Sequence, residues 1–448
     1  MKFKMKRTRR IALAWILLSS GISIIWGVAI ARTATGGPID FKAIYYGTRC
    51  LLQGHDPYQV SQLESVYQAE HGASPRESMQ HRRLVTLYVN LPTTFIFIAP
   101  FAMLPFWAAQ ALWLGSLAVV FILAAFLMWN IGARRAPAIS LVLVCILLAN
   151  SEVLFGTGNT AGIVVGLCVV AVWCFLEERF VPAGILCLAA SLAIKPHDTG
   201  LVWLFFFLAG GVHRVRALQT LLLTLVLGLS ALLWVSHVAP DWAQNWQSNL
   251  AAISAPGGLN EAGPASLTSR TAGMVVDLQA ALSVFRDDPR VYNPISYLVC
   301  GAMLLVWSIR TLRSRFSPAR AWLALAAVAP LTMLVTYHRP YDAKLLFLTV
   351  PACAMLWAEG GAIGWIALLV NASGLVLTGD IPLAIFINLA NKLHVGTAGG
   401  FAEILTVVLT RPASLLLLAM AVFYLWVYVR RGDADTDRSM AQTDSVPT

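Results

Sequence analysis

The chain has 448 residues, of which 58% are hydrophobic and 12% charged, with a mean hydropathy of +0.71 and a formal net charge of +10. Charge this sparse, roughly half the usual fraction for soluble domains, excludes a soluble globule. The basic excess does not point to nucleic acid, because Lys and Arg concentrate in short breaks between apolar runs, where they orient membrane spans.

With the basic N-terminus in the cytoplasm, the first apolar run, 11–31, leads outward. At about 20 residues it is longer than the core of a cleavable signal peptide and reads as a retained helix. An external loop over 32–90 follows, long enough for short interfacial helices. In it, Asp40 precedes Phe41, Tyr45 and Tyr46, and then Gly54-His55-Asp56-Pro57-Tyr58, where Gly54 and Asp56-Pro57 predict a turn ending a short helix. Such a patch in so apolar a chain is a first suspect for chemistry; the bland reading is a loop whose acidic and aromatic residues only mark the membrane interface.

The stretch 91–105 is apolar but broken by Pro92, Pro100 and Pro105, so it reads as re-entrant or kinked. Spans are expected over 106–129, 138–155, 161–176, 181–194, 199–208 and 217–238. A second long external loop, 239–292, carries a short helix at 278–285. Further spans are expected over 294–309, 321–337, 343–357 and 363–377, then a third external loop at 379–399 and a last span within 401–429. The total is about twelve spans, all α, with both termini inside and almost every basic break inside. The organisation expected is one membrane domain over 1–430 and a disordered cytoplasmic tail over 431–448.

This topology gathers polar residues at the external ends of different spans. They are Asn150, Ser151, Glu152 and Gly156-Thr157-Gly158-Asn159; Lys195-Pro196-His197-Asp198; Tyr337-His338-Arg339-Pro340-Tyr341-Asp342; and Asn388, Lys392 and His394. Lys195 and Arg339 break the positive-inside pattern, and a cation held at the external face needs an anionic partner such as a headgroup-level phosphate. The alternative is two structural ion pairs, Lys195 with Asp198 and Arg339 with Asp342. The Gly-Thr-Gly-Asn element lacks the lysine of a nucleotide-binding loop, and its glycines equally suit close helix packing. No CxxC motif or Cys/His cluster exists among the seven cysteines, so neither a disulfide framework nor a zinc site is expected.

From Asp40 to about residues 341–342 the chain resembles the integral-membrane glycosyltransferases of the GT-C superfamily, specifically glycosyltransferase family 87. The residues that carry this are Asp40-Phe41, Tyr45-Tyr46 and Gly54 to Tyr58; Tyr88-Val89-Asn90-Leu91-Pro92 with Pro100 and Pro105; Gly156 to Asn159, where Thr157 replaces the family's usual glutamine; Lys195-Pro196; and His338 to Asp342. The best-known members are polyprenyl-phosphate-mannose-dependent α-mannosyltransferases.

The resemblance implies a GT-C-type fold in a bacterial inner (plasma) membrane, with the active site on the periplasmic side. It implies an inverting enzyme that moves a hexose, mannose favoured, or a pentose. The donor would be a polyprenyl-phosphate sugar and the acceptor an envelope glycolipid or polysaccharide. Asp40 would be the general base, with Lys195, Arg339 and His338 at the donor phosphate. Tyr45, Tyr46, His55, Asp56, Tyr58, Asn159, His197, Tyr341 and Asp342 would contact donor or acceptor. No cofactor, metal or nucleic-acid partner is expected. Two rivals remain: a lipid-linked-sugar flippase, since many spans and broken helices are also transporter-like, and a non-catalytic envelope-assembly protein. The chain has no two-half repetition, and its long loops all fall on one side.

Overall fold

The structure, a computed structural model, describes residues 2–35, 37–71, 79–255, 258–263, 275–392 and 401–443. Every regular element among them is helical. Helix α1 (Lys2–Ile30) carries the first apolar run and ends in a π turn at Ala31–Thr35. The first loop then folds into α2 (Ile39–Leu52), α3 (Val60–His71) and α4 (Met79–Thr86). As expected, α2 ends just before Gly54, which takes a φ of +81° that side-chain-bearing residues rarely adopt.

Helix α5 (Thr93–Ala102), with Pro100 inside it, is the kinked lead-in to α6 (Phe106–Gly132). The single span expected over 138–155 is two helices, α7 (Pro137–Ala149) and α8 (Glu152–Thr157). The break at Asn150 is put to use. Its backbone carbonyl accepts from the buried ammonium of Lys344, and its side-chain amide donates to the carbonyl of Leu375 at 3.2 Å. A helix end supplies a free carbonyl, which a helix interior would not.

Helices α9 (Ala161–Leu176), α10 (Val181–Ile194), α11 (Pro196–Ala209) and α12 (Gly211–Val238) follow with tight turns. The second loop holds α13 (Trp242–Ser254), absent from the sequence expectation, and α14 (Leu278–Leu282), which matches it. Helices α15 (Pro289–Arg313) and α16 (Pro318–Val335) come next. A 3-10 segment at Asp342–Thr349 then leads into α17 (Val350–Glu359) in place of one continuous span. Helix α18 (Gly361–Leu377) bends by 84° into α19 (Asp380–Lys392), and α20 (Phe401–Thr410) and α21 (Pro412–Thr443) complete the chain. The last helix continues past Arg431 into the tail expected to be disordered. His394 lies outside the described residues, whereas Asn388 and Lys392 are exposed on α19.

By length and composition six helices can cross a membrane, or seven if the bent pair counts as one span. The expected twelve are not reached because α7, α9, α10, α11 and α17, each expected to be a span, have only 13, 16, 14, 14 and 10 residues. At 1.5 Å per residue, 16 residues rise about 24 Å, short of a hydrocarbon core of about 30 Å. Helix α16 is central, with 78% of its apolar window buried against α11, α15, α21 and the 3-10 segment. Helix α12 buries only 11% and presents Leu222, Leu225, Leu229 and Leu233 outward, as a lipid-facing span does.

The bundle has two chemically different ends. At one, Arg134 pairs bidentately with Glu177 at 2.9 and 2.6 Å, and Arg216 donates to the carbonyl of Phe175 at 3.0 Å. Arg315 and Arg320 line a small cavity with Ala209 at that same end. At the other end of α9, α10 and α11 stand Asn159, Lys195 and His197, and it is there that Asp40 is found.

Candidate functional site

Asp40 lies in the first turn of α2, where the helix N-terminus favours a negative charge. Its Oδ2 accepts from Nδ2 of Asn159 at 2.8 Å. That amide is oriented by its other end, since Oδ1 of Asn159 accepts from the backbone N–H of Ala161 at 2.8 Å. The Gly-Thr-Gly-Asn element therefore works as a positioning turn. Gly158 has φ +66°, and a Cβ there would lie 2.8 Å from the Cβ of Phe41, so only glycine lets this turn approach α2 so closely. Trp113 secures the turn by donating to the carbonyl of Gly158 at 2.8 Å. The packing alternative also holds, two residues earlier: a Cβ on Gly156 would meet the carbonyl oxygen of Gly27 in α1 at 2.7 Å. The buried hydroxyl of Thr157 has no hydrogen-bond partner among the described residues.

Asp40 makes no ion pair among the described residues, and its Oδ1 has no protein partner there. Asn159 thus fixes the carboxylate by one oxygen and leaves the other free, an arrangement suited to accepting a proton.

Lys195, His197, Asp198, His338, Arg339, Tyr341 and Asp342 gather from two segments far apart in sequence. Lys195, at the junction of α10 and α11, donates to Asp342 Oδ1 and lies 3.2 Å from Asp198 Oδ2. One half of the ion-pair alternative is therefore present, with a second carboxylate added. The other half differs. Asp342 Oδ2 accepts from the backbone N–H of Arg339 at 2.9 Å, while the guanidinium donates to the hydroxyl of Tyr337 and to the carbonyl of Leu259 at 3.3 Å. No carboxylate among the described residues lies within ion-pair distance of that guanidinium. Burial works against its charge, but Tyr337, Tyr341 and the Asp40 carboxylate raise its pKa, so Arg339 remains a cation within the electrostatic reach of Asp40. A charged guanidinium without a carboxylate is free to receive an external anion.

Around Asp198, which is fully buried, two imidazoles converge. His338 Nε2 is 3.3 Å and His197 Nε2 3.4 Å from Asp198 Oδ1. The His338 ring is set by its Nδ1, 2.7 Å from the carbonyl of Thr336. His338 is fully buried, whereas the side chain of His197 is 39% exposed. Tyr341 packs beneath the Lys195 ammonium, which is 5.6 Å from the ring centroid.

Among the first-loop residues expected to touch ligand, the tyrosines and Asp56 are engaged within the protein. Tyr45, Tyr46 and Tyr58 are buried in an aromatic cluster with Phe41, Phe106 and Tyr88. The hydroxyls of Tyr45 and Tyr58 donate to the carbonyls of Leu104 at 2.7 Å and Asn90 at 2.8 Å. Asp56 accepts from the backbone N–H of Tyr58 at 2.9 Å and from Asn245 at 2.7 Å, so both of its oxygens are engaged. His55 is exposed. Tyr45, Tyr46, Tyr58 and Asp56 build and brace the loop that carries Asp40.

The brace is α13, which the sequence did not reveal. Asn249 donates to the carbonyls of Tyr58 and Tyr88, at 2.9 and 3.0 Å, and Trp246 to that of Val89 at 3.0 Å. The interleaved Trp and Asn of Trp242–Ser254 were the available signal. A second buried group was also missed. Lys344 lies near enough to Asp380 and Glu152 to feel their charges, and Glu152 accepts from the backbone N–H of Ile381 at 3.3 Å.

Comparison with known proteins gives one match: the model of glycosyltransferase family 87 matches residues 88–336, which include Asn159, Lys195, His197 and Asp198. No curated protein and no solved structure matches the chain.

Proposed function

Because the chain belongs to glycosyltransferase family 87, we propose that it is an inverting, polyprenyl-phosphate-sugar-dependent glycosyltransferase of the GT-C type with Asp40 as its general base. The sugar is a hexose, mannose favoured, or a pentose. The acceptor is an envelope glycolipid or polysaccharide on the external face of a bacterial inner membrane. The end bearing Arg134, Arg216 and Arg315 is cytoplasmic, as are both termini, which puts Asp40 outside.

The observation that carries this reading is the Asp40–Asn159 hydrogen bond within the electrostatic reach of the Arg339 guanidinium, which has no ion-pair partner among the described residues. Asp40 takes the proton from an acceptor hydroxyl as that oxygen attacks the anomeric carbon from the face opposite the phosphate. The bond between the anomeric carbon and the phosphate oxygen breaks, the configuration inverts, and the polyprenyl phosphate leaves. Arg339 is the chief stabiliser of the charge developing on that phosphate. Lys195, already shared between Asp198 and Asp342, contributes from further back. His338 orders this phosphate end, and His197, Tyr341 and Asp342 shape it.

The test is a donor screen: purified protein, labelled polyprenyl-phosphate sugars and total envelope lipid as acceptor, read by mass. Sugar transferred to product supports the enzyme reading. Movement of donor across vesicles without bond change would replace it with a flippase, and neither outcome leaves an assembly protein.

A further inference from the structure

His197, Asp198 and His338 each offer one ligand atom, and these atoms all lie within 4.8 Å of one another. Because a carbonyl can only accept, the short contact of His338 Nδ1 with Thr336 puts the proton of a neutral ring on Nδ1. Nε2 then aims a lone pair at Asp198 Oδ1, and two acceptors face each other inside the protein. Asp198 Oδ2 is held by the Lys195 ammonium at 3.2 Å, whereas Asp198 Oδ1 and His338 Nε2 are both buried and meet hydrogen-bond geometry with no described group. Something positive belongs between them.

A proton on His338 is the simpler candidate, but the spacing argues against it. A charge-assisted N–H···O⁻ bond closes to about 2.7–2.9 Å, whereas both nitrogens stand off at 3.3 and 3.4 Å. A tetrahedral metal with bonds of about 2.0–2.1 Å has ligand–ligand edges of about 3.3–3.4 Å, and both edges to Asp198 Oδ1 have that length.

We propose that His197 Nε2, Asp198 Oδ1 and His338 Nε2 form a three-ligand site for a divalent metal, most suitably zinc, with the fourth position open. Two imidazoles and a carboxylate suit zinc better than the all-oxygen preference of Mg²⁺ or Ca²⁺. The contact of His338 Nδ1 with a backbone carbonyl is the outer-shell support such ligands use. Lys195 engages Asp198 through its other oxygen, Oδ2, and leaves Oδ1 to the metal. If the glycosyltransferase reading holds, the open position takes a phosphate oxygen of the lipid-linked donor; metal binding itself does not depend on that reading.

The test is direct binding, measured without any transfer assay. Full-length protein free of any polyhistidine tag is stripped with chelator, equilibrated with micromolar zinc, desalted and analysed for metal per chain. Cobalt(II) loading is followed by visible absorption. One equivalent of zinc and a tetrahedral cobalt spectrum are expected in the native chain. His197→Ala alters a partly exposed side chain and leaves the core packing in place, and it should weaken zinc binding at least ~100-fold. His338→Ala should do the same. Failure of the native chain to take up zinc, or undiminished uptake by folded His197→Ala, overturns the proposal.

Discussion

Asn159 offers the sharpest perturbation of the proposed base short of replacing it. Its Nδ2 holds Asp40 at 2.8 Å and its Oδ1 accepts from Ala161 at 2.8 Å, so each end has a separate function. Asn159→Ala removes both. A hydrogen bond to a charged group contributes about 1.5–3 kcal/mol. If it is spent on orienting the base, turnover should fall roughly 10- to 100-fold. Loss of the contact to Ala161 should cost about 1 kcal/mol of stability, comparable to losing a helix cap. Asn159→Asp separates the two effects, because the carboxylate still accepts from Ala161 while facing Asp40 at hydrogen-bond distance. Two carboxylates that close share a proton, so the base is neutralised near pH 7 and recovers as pH rises. The assay is initial rate under saturating donor and acceptor, normalised to folded protein by size-exclusion profile, from pH 6 to 9. Wild-type turnover at pH 7 in both folded variants would refute the role given to Asn159.

Arg339→Ala should reduce use of the lipid-phosphate donor by roughly 10- to 100-fold, and Lys195→Ala should also destabilise the fold, because it strands Asp198 and Asp342; donor kinetics with thermal melts of both variants check this. Asp277 is buried, and that burial lifts its carboxyl to about 6 against the pull of the Ala280 N–H, His338 and Arg411. The folded state therefore prefers the neutral acid, and stability should fall as pH rises from about 4 to about 6, by up to about 3 kcal/mol. Asp277→Asn should flatten that profile, and a melting curve in detergent that stays pH-dependent through this window would count against it. Cysteines placed at the exposed positions His55 and Arg313 should label from outside and inside respectively in intact cells; an externally labelled position 313 would invert the topology.

Composition and charge breaks made the helical membrane character legible, because hydropathy and basic residues act locally and need no partner. Helices α9 and α10 fall on their expected bounds. What the sequence hid depends on contacts between distant residues. Asp40 and Asn159 are 119 residues apart, and Lys195 and Asp342 are 147 apart. The alternative of ion pairs within each short motif therefore holds for Lys195 with Asp198, at 3.2 Å, but gives no hint of Asp342 as the second partner of Lys195. The break at Asn150 was hidden for the same reason, since its carbonyl is used by Lys344, 194 residues away. The first-loop aromatics carried a composition signal, but composition does not distinguish a ring that lines a site from one that packs beneath it. Tyr45, Tyr46 and Tyr58 do the latter.

The most direct test of the mechanism is turnover of Asp40→Asn, which conserves volume and removes the proton acceptor. Asp56→Asn is its control, because one oxygen of Asp56 accepts from Tyr58 within the turn and the other from Asn245 of α13. Under saturating donor and with folded protein normalised, Asp40→Asn should still bind the lipid-linked donor but transfer sugar at least ~100-fold more slowly, the lower range for loss of a general base. Asp56→Asn should lose stability or affinity more than rate. Near-normal turnover in Asp40→Asn, with loss of activity in Asp56→Asn, would contradict the assignment of the base.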